Sequence, residues 1–94
     1  MPSERIQDFV ISDHARFEME RRGIADDLVQ KIVASAEQRL PVHEGRVVLH
    51  SRVMMGTPPR MYLVRVVVDI DRWPAEVVTV YRTTKVDRYW RSEP

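Results

Sequence analysis

Three histidines, three tyrosines and thirteen arginines are the side chains of this chain best able to move protons or hold a phosphate. There is no cysteine, no glycine-rich phosphate loop, no Gly-x-Ser-x-Gly and no His-Glu-x-x-His, so the common nucleotide, serine-hydrolase and zincin chemistries have no vehicle. His14, His43 and His50 show no ligand spacing, and neither a metal nor a cofactor is expected. What is left is acid–base chemistry beside arginine. That suits cleavage of an RNA phosphodiester by its own 2′-hydroxyl, which needs a base for the 2′ proton, cations for the charge building on phosphorus, and an acid for the leaving 5′ oxygen.

His14 and Tyr81 are the candidate base and acid, in either order, and Arg22, Arg46, Arg65 and Lys85 the candidate cations. Thr79, Tyr81, Arg82 and Lys85 cluster at the end of a predicted last strand, and Trp73 and Trp90 offer stacking surfaces for bases. Each has a plainer reading. His14 can pack or cap a helix, Arg21 and Arg22 can compensate a helix dipole, Tyr81 can be a sheet-face aromatic, and Trp73 before Pro74 can anchor a loop.

The elements that must position these groups are legible from punctuation and period. Ser12-Asp13 is an N-cap signal, and Ile11, Ala15 and Met19 recur at spacings of four, which predicts a helix from Asp13 to Arg22 closed by Gly23. Asp26-Asp27 opens a second helix with Leu28, Val29, Ile32, Val33 and Ala36 on one side. From Pro41 onward the apolar residues turn β-branched and alternate. Strands are expected over Arg46–Met54, Arg60–Ile70 and Glu76–Arg82, with a short one near Gln38–Val42 and an ambiguous tail over Thr84–Trp90, either strand or helical turn. The fold class is therefore α+β, with two N-terminal helices on one face of a three- or four-stranded antiparallel sheet. Val47, Leu49, Val53, Tyr62, Val64, Val66, Val68, Ile70, Val78 and Val80 are expected to face the helices. Arg46, His50, Arg52, Arg65, Thr79 and Tyr81 are left on an open opposite face, an assignment that a one-residue register error would reverse.

With 94 residues, 44% apolar and 31% charged, the chain is one small globular domain over residues 1–94. No apolar run approaches a membrane span and Met1-Pro2-Ser3-Glu4-Arg5 lacks a signal-peptide core, so a cytoplasmic location is expected. The net charge of +1 conceals an asymmetry: residues 1–45 carry six Lys+Arg against nine Asp+Glu, and residues 46–94 carry nine against five. The second half therefore reads as polyanion-facing. A GC-rich genome, which writes arginine for lysine, explains the arginine excess equally well.

His14-Ala15, Met19, Arg22-Gly23-Ile24 and a Val29-centred second helix, then Gly45-Arg46, Tyr62–Val68 and Val78-Thr79-Val80-Tyr81 with Lys85, resemble a family of small bacterial domains of unknown function. The resemblance covers roughly residues 11 to 89, and that family is similar to RelE-like and barnase/EndoU/colicin-type ribonuclease toxins. The resemblance implies a RelE-like fold, toxin-type ribonuclease activity and a cognate antitoxin protein. By position it points to His14 and Arg22 on the helix, Arg46 at the start of the sheet, and Thr79, Tyr81 and Lys85 near its end. Ribosome dependence is not carried over, since the chain is only +1 and Glu18 and Glu20 place negative charge between His14 and Arg22.

The expectation is thus a metal-independent endoribonuclease of a toxin–antitoxin system. Its catalytic groups are His14, Arg22, Thr79, Tyr81 and Lys85; its RNA contacts are Arg46, His50, Arg52, Arg65 and Arg82. The alternative is a non-catalytic RNA- or protein-binding module with the same fold, which the acidic first helix favours. A third reading is a homodimer paired through an exposed sheet edge.

Overall fold

The computed structural model describes residue 6 and residues 8–92. Along the chain run β1 (Phe9–Ile11), α1 (Asp13–Arg22), α2 (Asp26–Ser35), β2 (Gln38–His43), β3 (Arg46–Met55), β4 (Arg60–Asp69), β5 (Ala75–Thr83) and α3 (Val86–Tyr89). Helix α1 has the predicted bounds. The Ser12 hydroxyl oxygen accepts from the Ala15 amide at 3.0 Å, which satisfies one of the four amides a helix start leaves open. Ser12 also donates from its backbone amide to the Val77 carbonyl at 2.9 Å and from its hydroxyl to the Val78 carbonyl at 3.4 Å, so one residue both caps α1 and fastens it to β5. At the other end Gly23 takes φ +68°, a left-handed conformation that costs glycine little. Only Ala15 and Met19 of α1 are buried, whereas α2 buries Val29, Ile32 and Val33.

The sheet has five strands in the order β1-β5-β4-β3-β2. Strands β2 to β5 are antiparallel neighbours, but β1 pairs parallel with β5, Phe9 opposite Ala75 and Ile11 opposite Val77. This corrects the expectation of a purely antiparallel sheet of three or four strands: the sheet is mixed, and three residues are too short a run to show alternation in sequence.

Val47, Leu49, Val64, Val66, Val68, Ala75, Val77 and Val80 meet Ala15, Met19, Ile24, Val29, Ile32 and Val33 in one core between the helices α1 and α2 and the sheet. Each of the valine, leucine, isoleucine and methionine side chains contributes about 1.5–3 kcal/mol on burial. β5 departs from expectation. Val67 pairs with Thr79 but Val68 pairs with Val77, leaving Val78 as an extra residue in a bulge. The bulge turns Val77 into the core, where it is fully buried, and leaves Val78 half-buried, so the expected placement of Val78 in the core and Val77 opposite is reversed.

The opposite face, hereafter the far face, is not open as expected. Of the two readings of the Thr84–Trp90 tail the helical turn is the one that forms, and α3 packs against β4. Leu63 and Val48, whose strand positions point them away from α1 and α2, are 0% and 4% exposed, so this face holds buried apolar residues of its own. No helix among the described residues is long and apolar enough to cross a membrane.

Candidate functional site

Four strands each contribute one residue to a polar row across the far face. Gln38 of β2 lies opposite His50 of β3, His50 opposite Arg65 of β4, and Arg65 opposite Tyr81 of β5. The row is hydrogen-bonded end to end. His50 Nε2 and Gln38 Oε1 are 2.8 Å apart, Arg65 Nε donates to His50 Nδ1 at 3.2 Å, and an Arg65 terminal nitrogen donates to the Tyr81 hydroxyl oxygen. Arginine can only donate, so His50 Nδ1 must accept and carries no proton; the proton is on Nε2 and goes to the Gln38 carbonyl. His50 is therefore a neutral imidazole of fixed tautomer. It is fully buried, and burial first and the Arg65 charge second lower its pKa from 6.5 to about 4, with Glu37 pulling weakly the other way.

The C-terminal segment covers this row. The Trp90 indole stacks on His50, with ring centroids 5.7 Å apart and planes 20° from parallel, and the Arg52 guanidinium lies 4.1 Å from the indole centroid. Tyr89 lies under the Arg65 guanidinium at 4.2 Å and meets Tyr81 edge-on at 6.4 Å. The Gln38 amide pairs twice with the Arg91 backbone, Nε2 donating to its carbonyl at 2.7 Å and Oε1 accepting from its amide at 3.1 Å.

The neighbouring cations of the far face are neutralised locally. Arg46 forms a two-pronged ion pair with Asp69 across β3 and β4, which holds the Asp69 carboxyl below its ordinary range. Arg52 pairs with Glu37 through its side chain at 3.0 Å and its backbone amide at 2.8 Å, which likewise lowers the Glu37 carboxyl. Arg65 differs. Among the described residues its hydrogen-bonding and stacking partners are His50, Tyr81 and Tyr89, all neutral, and it has no carboxylate partner.

The expected site residues thus divide. His50, Arg52, Arg65 and Tyr81 come together on the far face; Arg46 and Thr79 share that face, Arg46 tied to Asp69 and Thr79 half-buried opposite Val67. His14 and Arg22 do not join them: α1 lies in the helix layer on the other side of the sheet, with His14 exposed. Arg22 donates to Glu18 at 2.9 Å and Arg21 to the same carboxylate at 3.0 Å, which lowers the Glu18 pKa and neutralises the charge expected to meet phosphate. Arg82 lies opposite Val64, which turns it to the helix side of the sheet, 4.6 Å from the Tyr62 ring and beside the Met55 sulfur. Lys85 is exposed at the start of α3, its backbone amide held by the Thr83 hydroxyl. Trp73 stands 75% exposed in the β4–β5 loop.

Sequence reasoning missed Gln38, Glu37 and Tyr89. Gln38 was discoverable only through register: β2 carries a bulge at Val42, between the pairs Pro41–Val47 and His43–Arg46, and counting back from the Glu44-Gly45 turn without it puts Gln38 on the wrong face.

Residues 11–82 match the model of a family described as a domain of unknown function, DUF4258. No curated protein and no solved structure matches the chain.

Proposed function

Because the chain belongs to the DUF4258 family, whose description assigns no activity, we propose from the geometry that it is a toxin-type endoribonuclease working without a metal, with the far-face row as its centre. The reading rests on Arg65: a half-buried guanidinium held from both sides by neutral groups, with no carboxylate partner among the described residues, is a positive charge prepared for an anion, and phosphate matches its fork of donors. In this reading the 2′-hydroxyl oxygen of RNA attacks phosphorus as its proton leaves to water. The free donors of Arg65 stabilise the charge on the phosphorane oxygens, the bond from phosphorus to the 5′ oxygen breaks, and Tyr81, whose own hydroxyl hydrogen Arg65 does not use, protonates that oxygen. Water then returns a proton to the phenolate. His50 acts as a positioning residue that fixes the Arg65 fork. The RelE-like likeness and a cognate antitoxin belong to the same proposal, as does RNA as partner.

Purified full-length chain in EDTA, with total RNA, tests this directly. Wild type is expected to cleave, and Tyr81→Phe and Arg65→Met to lose about a hundredfold or more while melting as folded proteins. Cleavage that survives both substitutions but falls with His14→Ala would move the centre to α1 and refute the assignment. One observation favours the second reading, a non-catalytic RNA- or protein-binding module: His50 is fully buried beneath Trp90. Salt-sensitive RNA binding by wild type with no turnover would select it.

A further inference from the structure

The cover over the row has the shape of a ligand. Trp90 lays a flat bicyclic ring on the His50 imidazole, under the Arg52 guanidinium, while the next residue presents one donor and one acceptor to the Gln38 amide. Those are the two recognition elements a purine uses: a bicyclic π-face that stacks on aromatic and guanidinium planes, and an edge that pairs with an amide. The orientation of that amide is not free. His50 Nε2 donates to Gln38 Oε1, so Oε1 is the acceptor and Nε2 the donor facing Arg91. Adenine supplies the matching pattern on one edge, its N6 amine donating to Oε1 and its N7 accepting from Nε2, the pairing glutamine makes with adenine elsewhere. The platform residues Gln38, His50, Arg52, Arg65 and Tyr81 all fall inside the family-matched span 11–82, whereas Tyr89, Trp90 and Arg91 lie beyond it.

We propose that Trp90 and the Arg91 backbone occupy the seat of an adenine base, stacked on His50 and Arg52 and read by Gln38, so that the C-terminal segment is an internal competitor of single-stranded RNA. The seat lies next to Arg65, which puts the phosphate of a seated nucleotide within reach of the proposed cleavage centre. The inference rests on the RNA reading given above but not on catalysis. Binding to a seat that is filled in the resting molecule is weakened by the fraction of molecules in which it is empty, so emptying it by mutation must strengthen binding.

The test uses fluorescein-labelled 2′-O-methyl octamers, which the chain cannot cleave through a 2′-hydroxyl, titrated by anisotropy against the full chain. Wild type is expected to bind oligo(A) about tenfold tighter than oligo(C) or oligo(U), Trp90→Ala to tighten oligo(A) a further tenfold or so, and 7-deazaadenine, which lacks N7, to lose most of the preference. Should Trp90→Ala fail to fold, the ring protons of His50 in wild type report instead: leaving the indole shifts them, and oligo(A) must shift them where oligo(C) does not. Equal binding of all three octamers, or weaker binding after Trp90→Ala, overturns the adenine seat while leaving the ribonuclease reading intact. Absence of binding to any octamer, together with no RNA cleavage, overturns both.

Discussion

Replacing His50 by glutamine should flatten the pH dependence of stability between pH 5 and pH 7. In the unfolded chain this imidazole takes up a proton below its ordinary 6.5, whereas in the folded protein it stays neutral down to about 4. Between those values the unfolded state binds more protons, so stability rises with pH, and the penalty is complete below about pH 4. At about 1.4 kcal/mol per pH unit the interval sets a ceiling of about 3 kcal/mol. About half of it, about 1.5 kcal/mol, is expressed between pH 7 and pH 5. Glutamine keeps a carbonyl for Arg65 to donate to and has nothing to titrate. The depressed carboxyls of Glu18, Glu37 and Asp69 contribute stability that is lost only as pH falls below their ordinary 4.5 and 3.8, under this window. Urea unfolding of both proteins at half-unit steps measures the difference. Parallel curves, or an imidazole titrating near 6.5 by NMR in the folded wild type, would refute the neutral, arginine-braced His50.

Three further outcomes follow from the same contacts. Arg65→Met removes the second cause of the His50 shift, so His50 should titrate higher than in wild type, read from its ring protons; an unmoved pKa would leave burial as the whole cause. Ser12→Ala should cost about 1–2 kcal/mol, more than an ordinary cap, because the hydroxyl that accepts from Ala15 also donates to Val78; a thermal melt unchanged within a degree would contradict this. Ile32→Ala should cost about 2–5 kcal/mol by chemical denaturation, since Ile32 is 2% exposed in the core between α2 and the sheet, and a loss below about 1 kcal/mol would mean the core collapses around the gap.

What sequence could and could not reveal divides along physical lines. Local rules served well: the Ser12 cap, the Gly23 stop and the β-branched alternation give α1 and the strands β2 to β5 within a residue or so of the observed bounds. His50, Arg52, Arg65 and Tyr81 fall on one face by counting alone because β3, β4 and the end of β5 keep strict alternation. The failures are non-local. A three-residue parallel strand pairing Phe9–Ile11 with Ala75–Val77 leaves no periodic trace, and bulges at Val42 and Val78 break the count on which face assignment depends. Nor does periodicity say that Trp90 returns across the sheet to cover His50, or that a helix holding His14 sits on the side away from Tyr81. Residue type nominates candidates, but only the path of the chain decides which of them can meet.

The extra residue in β5 has a consequence for how this strand can change length. Val77 must point to the helices and Tyr81 to the polar row, yet four positions apart on a regular strand they would share a side; the surplus Val78 reconciles an even count with an odd requirement. A chain shortened by one residue at Val78 keeps both obligations with an uninterrupted ladder, at the loss of one contact to Ser12. The same deletion at Val80 or Thr79 also restores the arithmetic, but discards a core side chain or a far-face one. An insertion between Val77 and Tyr81 makes the count odd but leaves two surplus residues to be accommodated opposite β4 where one now stands. Loss of a residue from this strand therefore costs least at Val78, where parity is repaired without surrendering a side chain of the core or of the polar row.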